Sequence, residues 1–334
     1  MKLSVRVARA LALAGRAVSQ RKAKGEGIER LLDLDLSERD HQSIGQVCEL
    51  DGVRLGSYYA WYWEKKLLAT FIRGGDPDLM RDMLMSSDRT VLARLERVLS
   101  APRGCIVAIP HYGHYVLAIV SMLHHISRAR DVAVLYGDPA THKGNEIFDY
   151  LYRSLFYGRE PRVRILHGDR SGLIAALRLL RGGGVLLMLP DAYADIEDTH
   201  VVPFFGRPMN VMLGSAVMAR KSESRLIPAI AFPAGVLRFS IEFGDSIPSL
   251  QGVDSVSSKA ASFELQDYAS TALMFQQFER WMMGRTMYWQ YLRQHFYKRC
   301  CFNRLRPEVV DLMWDQFLKD PRLAAPLAVD FHLN

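Results

Sequence analysis

Cysteine is scarce in this chain: four in 334 residues, Cys48, Cys105 and the adjacent Cys300 and Cys301. Neighbouring cysteines rarely bridge each other and no C-x-x-C spacing occurs, so neither a disulfide framework nor a zinc ribbon is indicated. A reducing cytoplasm is the natural compartment. Long apolar runs are lacking as well. "YVLAIVSML" and "VLLML" fall short of the roughly 18–20 apolar residues that span a bilayer, and they have the length of core helices or strands. There are no internal repeats and no low-complexity linker. "RGGGV" is followed by no lysine-serine or lysine-threonine pair, which removes a phosphate loop. Acidic residues are the minority charge, 36 against 43 Lys and Arg, leaving a net charge of +7. That excess favours an anionic partner, whether nucleic acid, membrane surface or phosphorylated ligand.

What the chain does have is apolar material for a large core. Hydrophobic residues make up 49% and charged residues an ordinary 24%, so wholesale disorder is excluded. At the N-terminus, "MKLSVRVARALALAGRAVSQRKAKG" has Arg6, Arg9 and Arg16 where a signal peptide needs an unbroken apolar stretch. At helical spacing Leu3, Val7, Ala10, Leu11, Ala14 and Val18 form one stripe, with Lys2, Arg6, Arg9 and Arg16 opposite. Such a helix can lie among anionic headgroups or dock on its own domain, and the stripe fits both. We therefore divide the chain into a basic amphipathic helix over 1–25, an α/β domain over 26–300 and a tail over 301–334.

Residues 26–100 read mainly as helices. The texture then changes. "CIVAI", "DVAVLYG", "VRILHG", "VLLMLPD" and "LIPAIAF" are short apolar strands, separated by "YVLAIVSMLHHI", "NEIFDYLYRSLFYG", "SGLIAALRLLRGGG" and "VMLGSAVMARKSES" as helices. This alternation predicts a mostly parallel central sheet flanked by helices, with a helical section before it and a helical cover over 263–300. Ligands in such folds sit beyond the carboxyl ends of the strands. Three chemically rich stretches fall there: "PHYGH", "YGDPATHKGN" and "PDAYADIEDTHVVPFFGRP".

"HYGHYVLA", "NEIFDYLYR", "DRSGLIAALRLLRGGGVLLMLPD", "VVPFFGRPMNVMLGSAVMARKSESRLIPAIAF" and "MYWQYLRQHFYKR" occur in an order and spacing that resembles the bacterial lipid A late acyltransferase family. That family lies within the lysophospholipid acyltransferase-like superfamily. The resemblance covers roughly residues 45–300. It implies transfer of a fatty acyl group from a carrier-protein or CoA thioester to a hydroxyl or amine, with neither a redox cofactor nor a metal. It also implies an acidic carrier and an anionic membrane surface as partners, a peripheral place on the cytoplasmic face of a bacterial inner membrane, and no nucleic acid. The acceptor is a lipid A precursor or another glycolipid, capsule or secondary-metabolite intermediate.

The family's base lies in H-x-x-x-x-(D/E), where the acid orients the imidazole. His111 matches the histidine and Gly113 the usual glycine, but the acid position holds Val116. Three arrangements are open. Another carboxylate reaches His111, with Asp191 and Asp138 best placed because both follow strands. His114 shares the work. Or the site is inert and keeps only acyl-chain or carrier binding. A metal on the H-x-x-H pair requires a third ligand. The resemblance also assigns Asn145 and Arg153 to anion or carrier binding, and Phe204, Phe205, Gly206 and Arg207 to the acyl or acceptor pocket.

Overall fold

The computed structural model describes residues 13–14, 52–74, 95–96, 100, 102–192, 200–205, 207–235, 238–247 and 259–297. Apart from 13–14, the expected N-terminal helix lies outside them, as does the tail over 301–334. A long helix, α1 (Gly52–Gly74), comes first. The alternating unit follows as β1 (Cys105–Ala108), α2 (Tyr115–Ser127), β2 (Val132–Tyr136), α3 (Glu146–Phe156), β3 (Val163–His167), α4 (Arg170–Arg181) and β4 (Val185–Met188). A hairpin of β5 (His200–Phe204) and β6 (Arg207–Val211) leads to α5 (Gly214–Ser222), β7 (Arg225–Pro233) and β8 (Phe239–Phe243). The described chain closes with α6 (Lys259–Met282), a short 3-10 turn (Thr286–Tyr288) and α7 (Leu292–Tyr297).

The main sheet has the order β3-β2-β4-β1-β7-β8. Its first five strands are parallel, and β8 runs antiparallel along β7. Every residue of β1 and β2 is buried. This is why they read as continuous apolar runs rather than alternating ones: a parallel sheet is covered on both faces. Alternation survives in which face each side chain serves. Ile106, Ala108, Ala133, Leu135 and Leu186 pack with α4, α5 and α6, whereas Cys105, Val107, Val132, Val134 and Leu187 pack with α2 and α3. The result is three layers with two cores.

Local chemistry fixes the element ends. Asp169 caps α4, its carboxylate accepting the Gly172 N–H at 2.6 Å, a contact typically worth about 1 kcal/mol. After α4 the chain turns through Gly183 at φ +81°, and the Gly184 N–H bonds back to the Leu179 carbonyl before β4 begins. Pro203 and Pro208 stand opposite each other in the β5–β6 ribbon. A two-stranded ribbon tolerates them because no third strand asks for their missing N–H groups.

Candidate active site

β1 and β4 are neighbours in parallel register, Ala108 against Met188. Three residues further along each strand stand His111 and Asp191, so the register itself sets them side by side. Their contact is close: His111 Nδ1 to Asp191 Oδ1 is 2.7 Å, and the His111 backbone N–H donates to Oδ2 at 2.8 Å. Trp289 Nε1–H also donates to Oδ2, at 2.8 Å. Asp191 is buried, and His111 keeps 12% of its side chain exposed. An acceptor carboxylate on Nδ1 selects the tautomer with hydrogen there, which leaves the Nε2 lone pair for a substrate proton.

The turn that presents His111 is pinned from the far end of the chain. The Tyr112 N–H bonds to the Pro110 carbonyl at 2.7 Å, and Gly113 follows at φ +55°. A Cβ at 113 would stand 2.2 Å from the Ala231 carbonyl oxygen, so glycine is required by space as well as by conformation. Gly113 N–H donates to Tyr288 O at 3.0 Å and Gln290 N–H to His111 O at 2.9 Å, with a bridge between Tyr112 and Trp289. Tyr115 and Tyr291 set ring edges against the imidazole, centroids 4.9 and 5.0 Å away. Burial pushes both phenols above the ordinary tyrosine range, with the nearby Asp191 charge adding to it. Both phenols therefore stay protonated near neutral pH.

A cavity of about 1150 Å³ opens beside His111, large even for a drug-sized ligand site. Its wall is mainly apolar, including Leu135, Phe148, Met188, Leu189 and Met218. An oriented imidazole lining an apolar cavity suits the deprotonation of a hydroxyl or amine beside a carbonyl carrying a long chain.

A model of the bacterial lipid A biosynthesis acyltransferase family matches residues 60–298. The chain belongs to that family. Among curated proteins, none matches it. Membership sets the class of chemistry, acyl transfer to a lipid-like acceptor. The match spans α1 from its middle, the whole α/β unit and α7.

In this acyltransferase the expected site residues meet different fates. Val116, at the usual acid position, is buried among Leu117, Ile119 and Val120 on the α2 side of the sheet. Asp138 accepts the Ala140 N–H in its own exposed loop at 2.9 Å. His114 does not share the cavity with His111: its Nε2 meets Glu64 Oε2 at 3.1 Å, both side chains buried. The pair diverges because the Gly113 turn sends His114 down to cap α2 while His111 stays at the strand end.

Asn145 lines the cavity, where its amide donates to the Gly137 carbonyl at 2.8 Å. Arg153 stands apart from the histidine pair. It lies on α3 with 54% of its side chain exposed, outside the cavity lining, and its Nε donates to Asp149 at 2.7 Å. Burial raises the Asp149 carboxyl, but hydrogen bonds from Arg153, Tyr136 and His167 outweigh it and hold the group below the usual range. Phe204 and Phe205 are core residues outside the cavity lining, and they pack against Trp289 edge-on and tilted, with centroids 5.0 and 6.1 Å away. Their link to the site is indirect, through the indole that holds Asp191. Gly206 lies outside the described residues, and Arg207 opens β6 opposite Phe204.

Sequence reasoning missed Trp289, Gln290, Tyr291 and Glu64 as site residues. The signal for the first three was present, since "MYWQYLR" belongs to the motif that carried the resemblance. Nothing local marked Glu64, which sits mid-helix in an aromatic stretch. Among the described residues no helix is long and apolar enough to cross a membrane.

Proposed function

We propose that this protein transfers a fatty acyl group from a thioester, on a carrier protein or CoA, to a hydroxyl or amine of a glycolipid-like acceptor. The observation that carries the reading is the His111–Asp191 pair, with its imidazole lining the apolar cavity. His111 Nε2 takes the acceptor proton as the oxygen or nitrogen attacks the thioester carbonyl. The tetrahedral intermediate collapses, the C–S bond breaks, and the imidazolium returns its proton to the leaving thiolate. Asp191 holds the ring in place and stabilises the imidazolium, as the third member of a triad does. The carboxylate thus arrives from the neighbouring strand rather than from position 116.

The oxyanion donor in this reading is a backbone N–H beside the pair other than those of His111, Tyr112 and Gly113, which are already bonded, since Arg153 faces solvent; such a donor typically contributes about 2.7–4 kcal/mol. The donor carrier is acidic and meets a net charge of +7. The same charge favours work on an anionic membrane surface, as a peripheral protein. The test is acyl transfer from a loaded thioester to a glycolipid acceptor, wild type against His111→Ala. We expect the variant to lose about 10²–10⁴-fold in turnover. Equal product from both proteins would remove His111 as the base.

A further inference from the structure

Arg220 and Asp267 bring a charged pair to the lining of the cavity beside His111. Arg220 in the last turn of α5 grips Asp267 of α6 with two parallel hydrogen bonds, Nε to Oδ1 at 2.9 Å and Nη2 to Oδ2 at 2.6 Å. The guanidinium lies over the Phe263 ring, 4.5 Å from its centroid. Asp267 is buried. A second cavity of about 720 Å³ adjoins these side chains, lined by Leu226 and Ile247 together with polar groups such as Arg103, Glu223 and Gln266. Arg220, Phe263 and Asp267 line both cavities, so they form a shared partition.

The partition is remote from the chemistry. His111 stands beyond the carboxyl ends of the strands, whereas α5 runs back toward the opposite edge and hands over to β7. There the Arg225 N–H bonds to the Gly104 carbonyl at 3.0 Å. Between Gly104 and His111 lie roughly 20 Å of extended chain at about 3.3 Å per residue. An apolar chain entering at His111 and passing Met218 therefore gains burial with each methylene until it reaches the pair. Going further requires parting two charge-assisted hydrogen bonds and leaving both ions against hydrocarbon.

We propose that the Arg220–Asp267 pair, seated on Phe263, is the stop that sets the longest acyl chain this enzyme accepts. The inference rests on the acyl-transfer reading and adds the residues that fix donor length. Two variants open the partition. Phe263→Ala removes the platform, and Arg220→Ala with Asp267→Ala removes both ions together, so that neither is left buried alone.

The experiment compares kcat/KM over a series of saturated acyl thioesters, from short to long. In both variants the long-to-short ratio rises by at least about tenfold, the discrimination an added methylene can carry. In parallel, the same series of free fatty acids is scored by the rise in Tm that binding causes. There too the variants favour longer chains than the wild type does. A folded variant with an unchanged length profile in both assays overturns the proposal. So does the absence of any Tm rise with any fatty acid in wild type and Phe263→Ala alike. If the double variant does not fold, Phe263→Ala decides alone. Wild type that turns over no thioester strikes the acyl-transfer reading, while the fatty-acid series still decides whether the partition limits chain length.

Discussion

His111 and Asp191 are coupled through two contacts, ring to carboxylate and backbone N–H to carboxylate, and the Trp289 indole donates to the same carboxylate. Asp191 is thus fixed by two donors that do not take part in proton transfer, and the imidazole is oriented by a group that cannot swing away. Position 116 shows why the acid could move. On the α2 face a carboxylate would sit inside an apolar core. Val116→Glu therefore loses about 3 kcal/mol or more in denaturant unfolding, the cost of an unpaired buried charge, and gains no activity. Gly113→Ala meets both a left-handed backbone and the Ala231 carbonyl. It loses about 1–3 kcal/mol in the same assay and displaces the histidine turn, so turnover falls with it.

At the scale of elements, the site is a parallel strand pair closed by a segment from the far end of the chain. The strands were legible because fully buried strands must be continuous apolar runs, as "CIVAI" and "VLLML" are. Their order and register were not legible, and with them the fact that residues 111 and 191 lie abreast. No local pattern encodes which strand pairs with which. β8 shows a missed signal, since "FSIEF" alternates as an antiparallel edge strand does. The β5–β6 ribbon was hidden by its prolines, which argue against strands in general and are allowed here by the ribbon's two free edges. The segment over 285–291 lays its backbone on the histidine turn, and its Trp289 is 2% exposed. Trp289→Phe keeps most of the packing and removes one donor to Asp191. It destabilises by about 1–3 kcal/mol and lowers kcat more than it changes KM, a split that steady-state kinetics reads directly.

Taken as a whole, the molecule places its chemistry at one edge of the sheet and many of its cations at the other. Arg153, Arg178 and Arg181, and Arg220 and Lys221 occupy the last turns of α3, α4 and α5. There they meet the negative ends of helix dipoles. Part of the basic excess read from the sequence therefore serves the fold itself, a use that net charge alone could not distinguish from partner binding. Lys65 is placed differently, half-buried on α1 with its ammonium donating to Gln290 at 2.9 Å, and burial lowers it to about 8 from 10.5. Between those values the unfolded chain holds a proton that the folded chain has released, so stability rises with pH across that window. Relative to Lys65→Met, the wild type gains up to about 1.4 kcal/mol per pH unit over this range in denaturant unfolding. A flat difference would contradict it. The central claim is that Asp191 has taken over the part of the missing acid, and Asp191→Asn tests it most directly. Measured by transfer from a loaded thioester, the account predicts a fall in kcat on the order of 10³–10⁴-fold, with KM little changed and the fold intact. A folded Asp191→Asn enzyme with turnover within about threefold of wild type would contradict it, since a positioned carboxylate contributes far more than that.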